Sequence, residues 1–469
     1  MRSPLERPDW VLLSAYLLAA VLGTATSCLL VHDGAILLTA AWLGNAWDIY
    51  FGQNASRAVS TLMMFGPVWG LRRALDLSAE THIVLGHALY FATPLVLWLV
   101  LRRIETSRLF SRLFLAFALP LVYFLTELVI GGAFWLMWLS LAADPARSNR
   151  QVTLATLCLG AAMALSHPTT GLMSLLFLIV LGGLRLAGRP LPRRLTVATA
   201  ALTALLIAAY LAESAWLPAT NPTILIAVAR IRYDYVDPRW MLATLVLFPM
   251  LAALWLLLLA PGINLLAGRW RFSAPAIAVI ALLGVWFAAA GAAMLTWLYA
   301  RHTGGYILVV ATALALLQPG AWLEQSRRPL MLYAAIVSVA FVSYNVDLAL
   351  FGSFVDRQLS AAYSDVEKPG SSWPAQYTGP AGERVYFKWG VGRDYARDYI
   401  VPTFDWYRLT LAFYSYFRSH RTGVLFHPLG GPHDWLPYEC PALARAAQLP
   451  HDEPDRKFVA FLAANYCPR

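Results

Sequence analysis

Four polar clusters interrupt an otherwise apolar sequence, and each holds groups able to move a proton or bind a phosphate. The first is His32-Asp33-Gly34 at the end of the first long apolar run, followed on the same loop by Asp48. A carboxylate beside a low-dielectric region has its proton affinity raised and makes a better general base. The second is Glu127, in Leu125-Thr126-Glu127-Leu128, between two apolar runs. The third is Ser166-His167-Pro168-Thr169-Thr170-Gly171. Its histidine is placed to hydrogen-bond a substrate, although the proline and glycine also read as a plain stop and restart of helix. The fourth is Arg301-His302-Thr303-Gly304-Gly305-Tyr306. An arginine at a helix start beside flexible glycines suits phosphate binding, and Arg230 and Arg232 in an earlier polar stretch compete for that part. The plainer alternatives are solvated turn carboxylates and arginines that snorkel to a membrane surface.

The elements that must carry these clusters are membrane spans. Of the 469 residues, 59% are hydrophobic and 13% charged, against about 25% charged in an ordinary soluble domain. Such a chain cannot cover itself with polar surface, which argues against a disordered protein, a nucleic-acid module and a cytosolic enzyme. The net charge of +10 lies mostly in arginines between apolar runs; the lysines are confined to Lys368, Lys388 and Lys457. We read about eleven apolar runs of spanning length, near 10–31, 82–101, 109–126, 128–143, 152–166, 170–187, 195–212, 241–260, 274–299, 305–323 and 331–351. Arg102 to Arg112, Arg147 with Arg150, Arg185 to Arg194, Arg269 with Arg271, and Arg327 with Arg328 fall on one face together with Arg2 and Arg7. The positive-inside rule makes that face cytoplasmic, and the four polar clusters then share the opposite one.

The first run is too long for a signal-peptide core, lacks a cleavage site at its end, and reads as a retained helix. Outer loops are expected at 32–81 and 213–240. Within the first, Ala55 to Leu75 reads as an amphipathic helix, lying among headgroups with Arg57, Arg72 and Arg73 toward phosphates or else packed on the bundle. The expected domains are 1–351 in the membrane and 352–469 as a small extracytoplasmic α/β domain. Within that tail, Val385 to Trp389 reads as a strand. Cys440 and Cys467 lie in the tail, where an external location allows a disulfide, with free thiols or a metal site as the alternatives. His420, His427 and His433 match no standard zinc spacing, and the tail tryptophans read as core before they read as a sugar-stacking surface.

The layout resembles the GT-C superfamily of integral-membrane glycosyltransferases. An acid, Asp33, follows the first span, and a long outer loop with a juxtamembrane helix comes next. Leu62-Met63-Met64-Phe65-Gly66-Pro67 through Leu75, then Ala79 to Gly86, is similar to the family's helix before its second span. Glu127 falls where many members carry an acid, and Ala164 to Gly171 resembles the helix-breaking step that follows. Gly305-Tyr306-Ile307-Leu308 resembles the late span that opens on arginine and tyrosine, with Gly305 at the arginine's place and Arg301 nearby. The similarity covers roughly residues 10–190 and 295–325.

The resemblance implies a GT-C-like, α-helical polytopic fold that uses a polyprenyl-phosphate-linked sugar as donor. The acceptor is a glycan, lipid or protein at the outer face of a bacterial inner membrane, and the transfer inverts the anomeric centre. It implies Asp33 as general base, with His32, Asp48, Glu127, His167, Arg230, Arg232, Arg301, His302 and Tyr306 in substrate binding. No nucleotide cofactor or nucleic acid is expected, membrane lipids are, and there is room for a divalent metal. Competing readings are an enzyme of the O-antigen ligase or polymerase type and a lipid or solute transporter, though transporters usually show paired halves.

Overall fold

The computed structural model describes residues 5–31, 57–75, 77–121, 127–186, 192–216 and 296–339, with further positions at 37–38, 41, 188, 341–342, 345–346, 349, 377–378 and 384–385. The apolar runs in these segments are helices. They are α1 (Arg7–Ala25), α2 (Ala58–Ala74), α3 (Ala79–Ile104), α4 (Leu109–Leu121), α5 (Leu128–Ala143), α6 (Asn149–Ala164), α7 (Thr169–Leu186), α8 (Arg193–Trp216), α9 (Thr296–Leu317) and α10 (Pro319–Gln325). Residues 327–339 form α11. In the C-terminal segment, β1 (Tyr377–Thr378) pairs antiparallel with β2 (Arg384–Val385), Tyr377 opposite Val385. Among the described residues, α1, α3, α7 and α8 are long and apolar enough to cross a membrane; the bent pair α9–α10 adds a fifth if it counts as one span. Exposed Val21, Leu154, Ile179 and Val197 on four different helices suit a hydrocarbon surround. The protein is a helical, membrane-embedded one. The expected span at 241–260, residues 274–295 of the next and most of the 352–469 domain, Cys440 and Cys467 included, lie outside the described residues; residues 296–299 are the start of α9.

The described elements belong to two compact units. The first combines Met1–Val21, Asn54–Met64 and Tyr90–Phe341; the second combines Leu22–Gln53, Phe65–Leu89 and Val342–Arg469. A helix apolar on every side is buried on every side, and α4 and α5 form the centre of the first unit on that principle. Every residue of α4 is buried, and so is nearly all of α5, with Trp135 and Trp138 fully enclosed. α5 packs against α4, α6, α7, α8 and α9. Ser148 and Gln151 start α6 with a reciprocal capping box, which satisfies two otherwise orphaned N–H groups. Arg194 seals the turn before it by donating to the carbonyls of Ala142, Asp144 and Arg147. Tyr16 donates to the Phe91 carbonyl and Tyr333 to that of Ala116, both across neighbouring helices.

An ion cluster closes one end of this unit. Arg112, read from the sequence as a topology signal, is buried; its Nε and Nη2 reach the two Asp9 carboxylate oxygens at 2.7 and 3.1 Å. It also donates to Glu6 at 3.1 Å and to the Leu323 carbonyl at 3.2 Å. Arg108 lies 2.6 Å and Arg327 3.6 Å from Glu6. Burial raises the Glu6 carboxyl, but the Arg112 hydrogen bond and the charges of Arg108, Arg112 and Arg327 outweigh it and hold the group below its ordinary value. Residues 6–9, 108–112 and 323–327 therefore meet, which brings three of the arginine-marked segments together. Between α3 and α4, Glu105 accepts the Phe110 and Ser111 N–H groups at 3.0 and 3.2 Å. Burial pushes its carboxyl up to about 7, against these hydrogen bonds and the nearby Arg102.

In the second unit the first apolar run departs from expectation. It does not continue as one helix to Val31: α1 stops at Ala25, Ser27 turns to φ 54°, and Cys28–Val31 is a short 3-10 segment. The Leu29 N–H then donates to His87 Nε2, and His82 Nε2 donates to the Leu38 carbonyl. Arg73 lies over the Trp69 ring at 4.6 Å.

Candidate functional site

The structure gathers two of the sequence-predicted site residues at the end of α4 remote from Arg112. Glu127 sits at the N-terminus of α5 with 1% of its side chain exposed. Its Oε1 lies 3.5 Å from Arg57 Nη1. Arg57 precedes α2, and two hydrogen bonds hold that segment in place. The Val59 N–H donates to the Leu165 carbonyl at 2.8 Å, and the Ser60 hydroxyl to that of Ser166, also at 2.8 Å. Of the two expectations for this segment, headgroup contact or packing on the bundle, the pairing of Arg57 fits the second. The segment packs on the bundle because Ser60, Thr61 and Met64 are buried, so the guanidinium points inward to the acid.

His167 is fully buried in the turn between α6 and α7. Its Nδ1 accepts the Thr169 N–H at 3.1 Å, which assigns the ring proton of the neutral form to Nε2. The turn is braced further by Tyr210 on α8, whose hydroxyl donates to the His167 carbonyl at 3.0 Å and lies 3.0 Å from Thr170 Oγ1. Gly131, one helical turn beyond Glu127, lets α5 approach this turn closely. A Cβ on Gly131 would stand 2.6 Å from Thr170 Cγ2 and 3.8 Å from His167 Cβ. The acid and the histidine are thus carried on directly packed elements, with the arginine of a third element beside the acid.

The fourth cluster differs from its expected form. Arg301 to Tyr306 lie within α9, not in a loop before a span. The glycines serve close approach: a Cβ on Gly305 would meet Met173 Sδ at 3.1 Å and Leu128 Cδ2 at 3.3 Å. Small residues let apolar helices touch in this way. α9 therefore passes beside Leu128, next in sequence to Glu127, and beside Met173 on the helix that follows His167. Tyr306 is buried on α9; the side chains of Arg301 and His302 lie outside the described residues. So do His32, Asp33, Asp48, Arg230 and Arg232. The expected span 305–323 is also broken: α9 ends at Leu317 and α10 leaves at 116°. Pro319 at the first position of α10 explains the break, since a proline biases the preceding Gln318 away from helix and it adopts φ −148°, ψ 76°.

Arg57 and Tyr210 are members of this site that sequence reasoning missed. A tyrosine in the alanine-rich run of α8 was the available signal for the second; the first had none, because its partner is 70 residues away. Chemically the arrangement offers a buried carboxylate acceptor, a cation beside it and a histidine with one ring nitrogen already committed. No protein-family model, curated protein or solved structure matches the chain, so the site is read from its own geometry.

Proposed function

We propose that the protein is an inverting membrane glycosyltransferase of the GT-C kind. It would move a sugar from a polyprenyl-phosphate donor to a glycan, lipid or protein acceptor at the outer face of the membrane. The single observation that supports this reading best is the buried Arg57–Glu127 pair beside the turn that carries His167. Ionisable groups inside an apolar bundle are costly and mark functional sites more often than packing.

In this reading Asp33 removes the acceptor hydroxyl proton as that oxygen attacks the anomeric carbon. The bond from that carbon to the phosphate oxygen breaks, and polyprenyl phosphate leaves with the electron pair. Arg301, His302, and Arg230 or Arg232 stabilise the growing phosphate charge. Glu127 and His167 accept and donate hydrogen bonds to the sugar hydroxyls, with His32, Asp48 and Tyr306 lining the approach. A divalent metal, if bound, would share the phosphate charge.

The test is release of polyprenyl phosphate from a labelled polyprenyl-phosphate sugar by proteoliposomes. Asp33→Asn is expected to lower release about a hundredfold or more, the scale of one general base, with thermal unfolding unchanged; Glu127→Gln is expected to lower it about tenfold, the scale of a hydrogen bond to a charged group. Full activity of Asp33→Asn removes that residue from the role. Solute uptake without any sugar release by the parent protein would replace the enzyme with a transporter.

A further inference from the structure

A groove of about 570 Å³ runs between α1 and α11, and its lining includes Arg7, Trp10, Val11, Leu18, Ala335 and Ser338. It lies in the first unit, at the ion-cluster end of α4 and away from Glu127. We infer that this groove binds one acyl chain of an anionic glycerophospholipid whose phosphate is held by Arg7 and Arg328.

Shape comes from the residues. On α1 the positions 7, 11, 14 and 18 form one helical stripe, and on α11 Ala334, Ala335 and Ser338 form another. Small side chains at Ala15, Ala334 and Ala335 make the floor. Trp10 and Leu18 rise beside it with 55% and 38% of their surface exposed. Eleven residues separate Arg7 from Leu18, about 16 Å along a helix, which accommodates most of an extended acyl chain. Both helices are apolar there, so hydrocarbon rather than water is the natural filling.

Charge selects the headgroup. Arg7 opens the α1 stripe, and Arg327 and Arg328 stand two helical turns before Ala334 and Ala335 on α11. Arg7 and Arg328 are exposed and make no ion pair with any described residue. The neighbouring acids Glu6 and Asp9 are taken up by Arg108 and Arg112, and Arg327 meets Glu6 only at 3.6 Å while 54% exposed. Arg7 lines the groove, and Arg328 shares the helical face of Ala335 two turns earlier, so both guanidinium groups are available to a phosphate, which arginine suits through its forked donors. Trp10 beside Arg7 is placed as an interfacial anchor.

The test uses the full-length protein in phosphatidylcholine nanodiscs doped with either phosphatidylglycerol or phosphatidylcholine brominated on the acyl chains. Trp10 is isolated from the other tryptophans by subtracting the signal of Trp10→Phe. Brominated phosphatidylglycerol is expected to quench Trp10 at a mole fraction about fivefold or more below that needed with brominated phosphatidylcholine. Arg7→Gln with Arg328→Gln should erase the difference, and Ala335→Phe should weaken quenching by both lipids. Equal quenching by the two lipids in the parent protein overturns the proposal, and that comparison needs neither of the groove variants to fold. A preference that survives loss of both arginines overturns it too. So does absence of quenching by either lipid, which would mean that protein fills the groove.

Discussion

Arg57 Nη1 and Glu127 Oε1 lie 3.5 Å apart, and the two partners differ in access: the acid retains 1% of its side-chain exposure and the base 18%. Loss of one member of a buried pair takes a counter-charge from the other, at a cost of about 3–5 kcal/mol. The cost falls on whichever charge cannot reach water. Arg57→Gln is therefore expected to lower stability more than Glu127→Gln, because the arginine that remains in the second variant can relax outward and the carboxylate that remains in the first cannot. The double variant should recover part of the loss. Thermal unfolding of the four proteins in one detergent measures all three terms.

Gly131 permits the contact that brings α5 to the His167 turn. Gly131→Ala places a methyl 2.6 Å from Thr170 Cγ2, an overpacking that typically costs about 1–3 kcal/mol. Thr170→Ser removes the opposing methyl and keeps the hydroxyl near Tyr210. The pair Gly131→Ala with Thr170→Ser should be more stable than Gly131→Ala alone; equal stability would mean that the clash lies elsewhere.

Arg112 and Asp9 form the most buried ion pair of the cluster, both nearly inaccessible. Arg112→Met should destabilise by about 3–5 kcal/mol because Asp9 is left charged and buried. Adding Asp9→Leu should restore most of that loss. A double-mutant cycle on unfolding free energies reads the coupling directly.

Glu105 supplies a pH dependence of known sign. Its carboxyl is raised from an ordinary value of 4.5 to about 7 by burial. A raised folded value means that the folded state holds the proton more tightly, so the contribution to stability is full below pH 4.5 and is lost as pH rises through about 7. Glu105→Gln keeps an acceptor for the Phe110 and Ser111 N–H groups and cannot ionise. The variant should match the parent near pH 4.5 and exceed it at pH 8, with the gap closing through the intermediate range.

The helices that the sequence announces are those whose apolar runs end on strong local signals. Leu128–Ala143 begins at an acid and ends before an aspartate and a proline, and the structure places it on the expected residues. Glycine misleads in such a chain. Gly304 and Gly305 read as a flexible boundary under rules drawn from soluble proteins, yet they are interior helical positions where α9 touches Leu121 at the first and Leu128 and Met173 at the second. Long-range ion pairs leave no local trace: neither Arg57 nor Arg112 carries any mark of the partner 70 or 103 positions away. Within the candidate site, Glu127 and His167 were legible because an ionisable residue stands out in apolar surroundings, whereas Arg57 among other arginines did not.

The fastening of Arg112 to the Leu323 carbonyl has a consequence for biogenesis. Asp9 and Arg112 emerge from the ribosome early and can join as soon as α4 enters the bilayer. The third partner is made 211 residues later. Until then Arg112 Nη1 lacks this acceptor. This bond can therefore close only once the chain has been synthesised through Leu323 in α10.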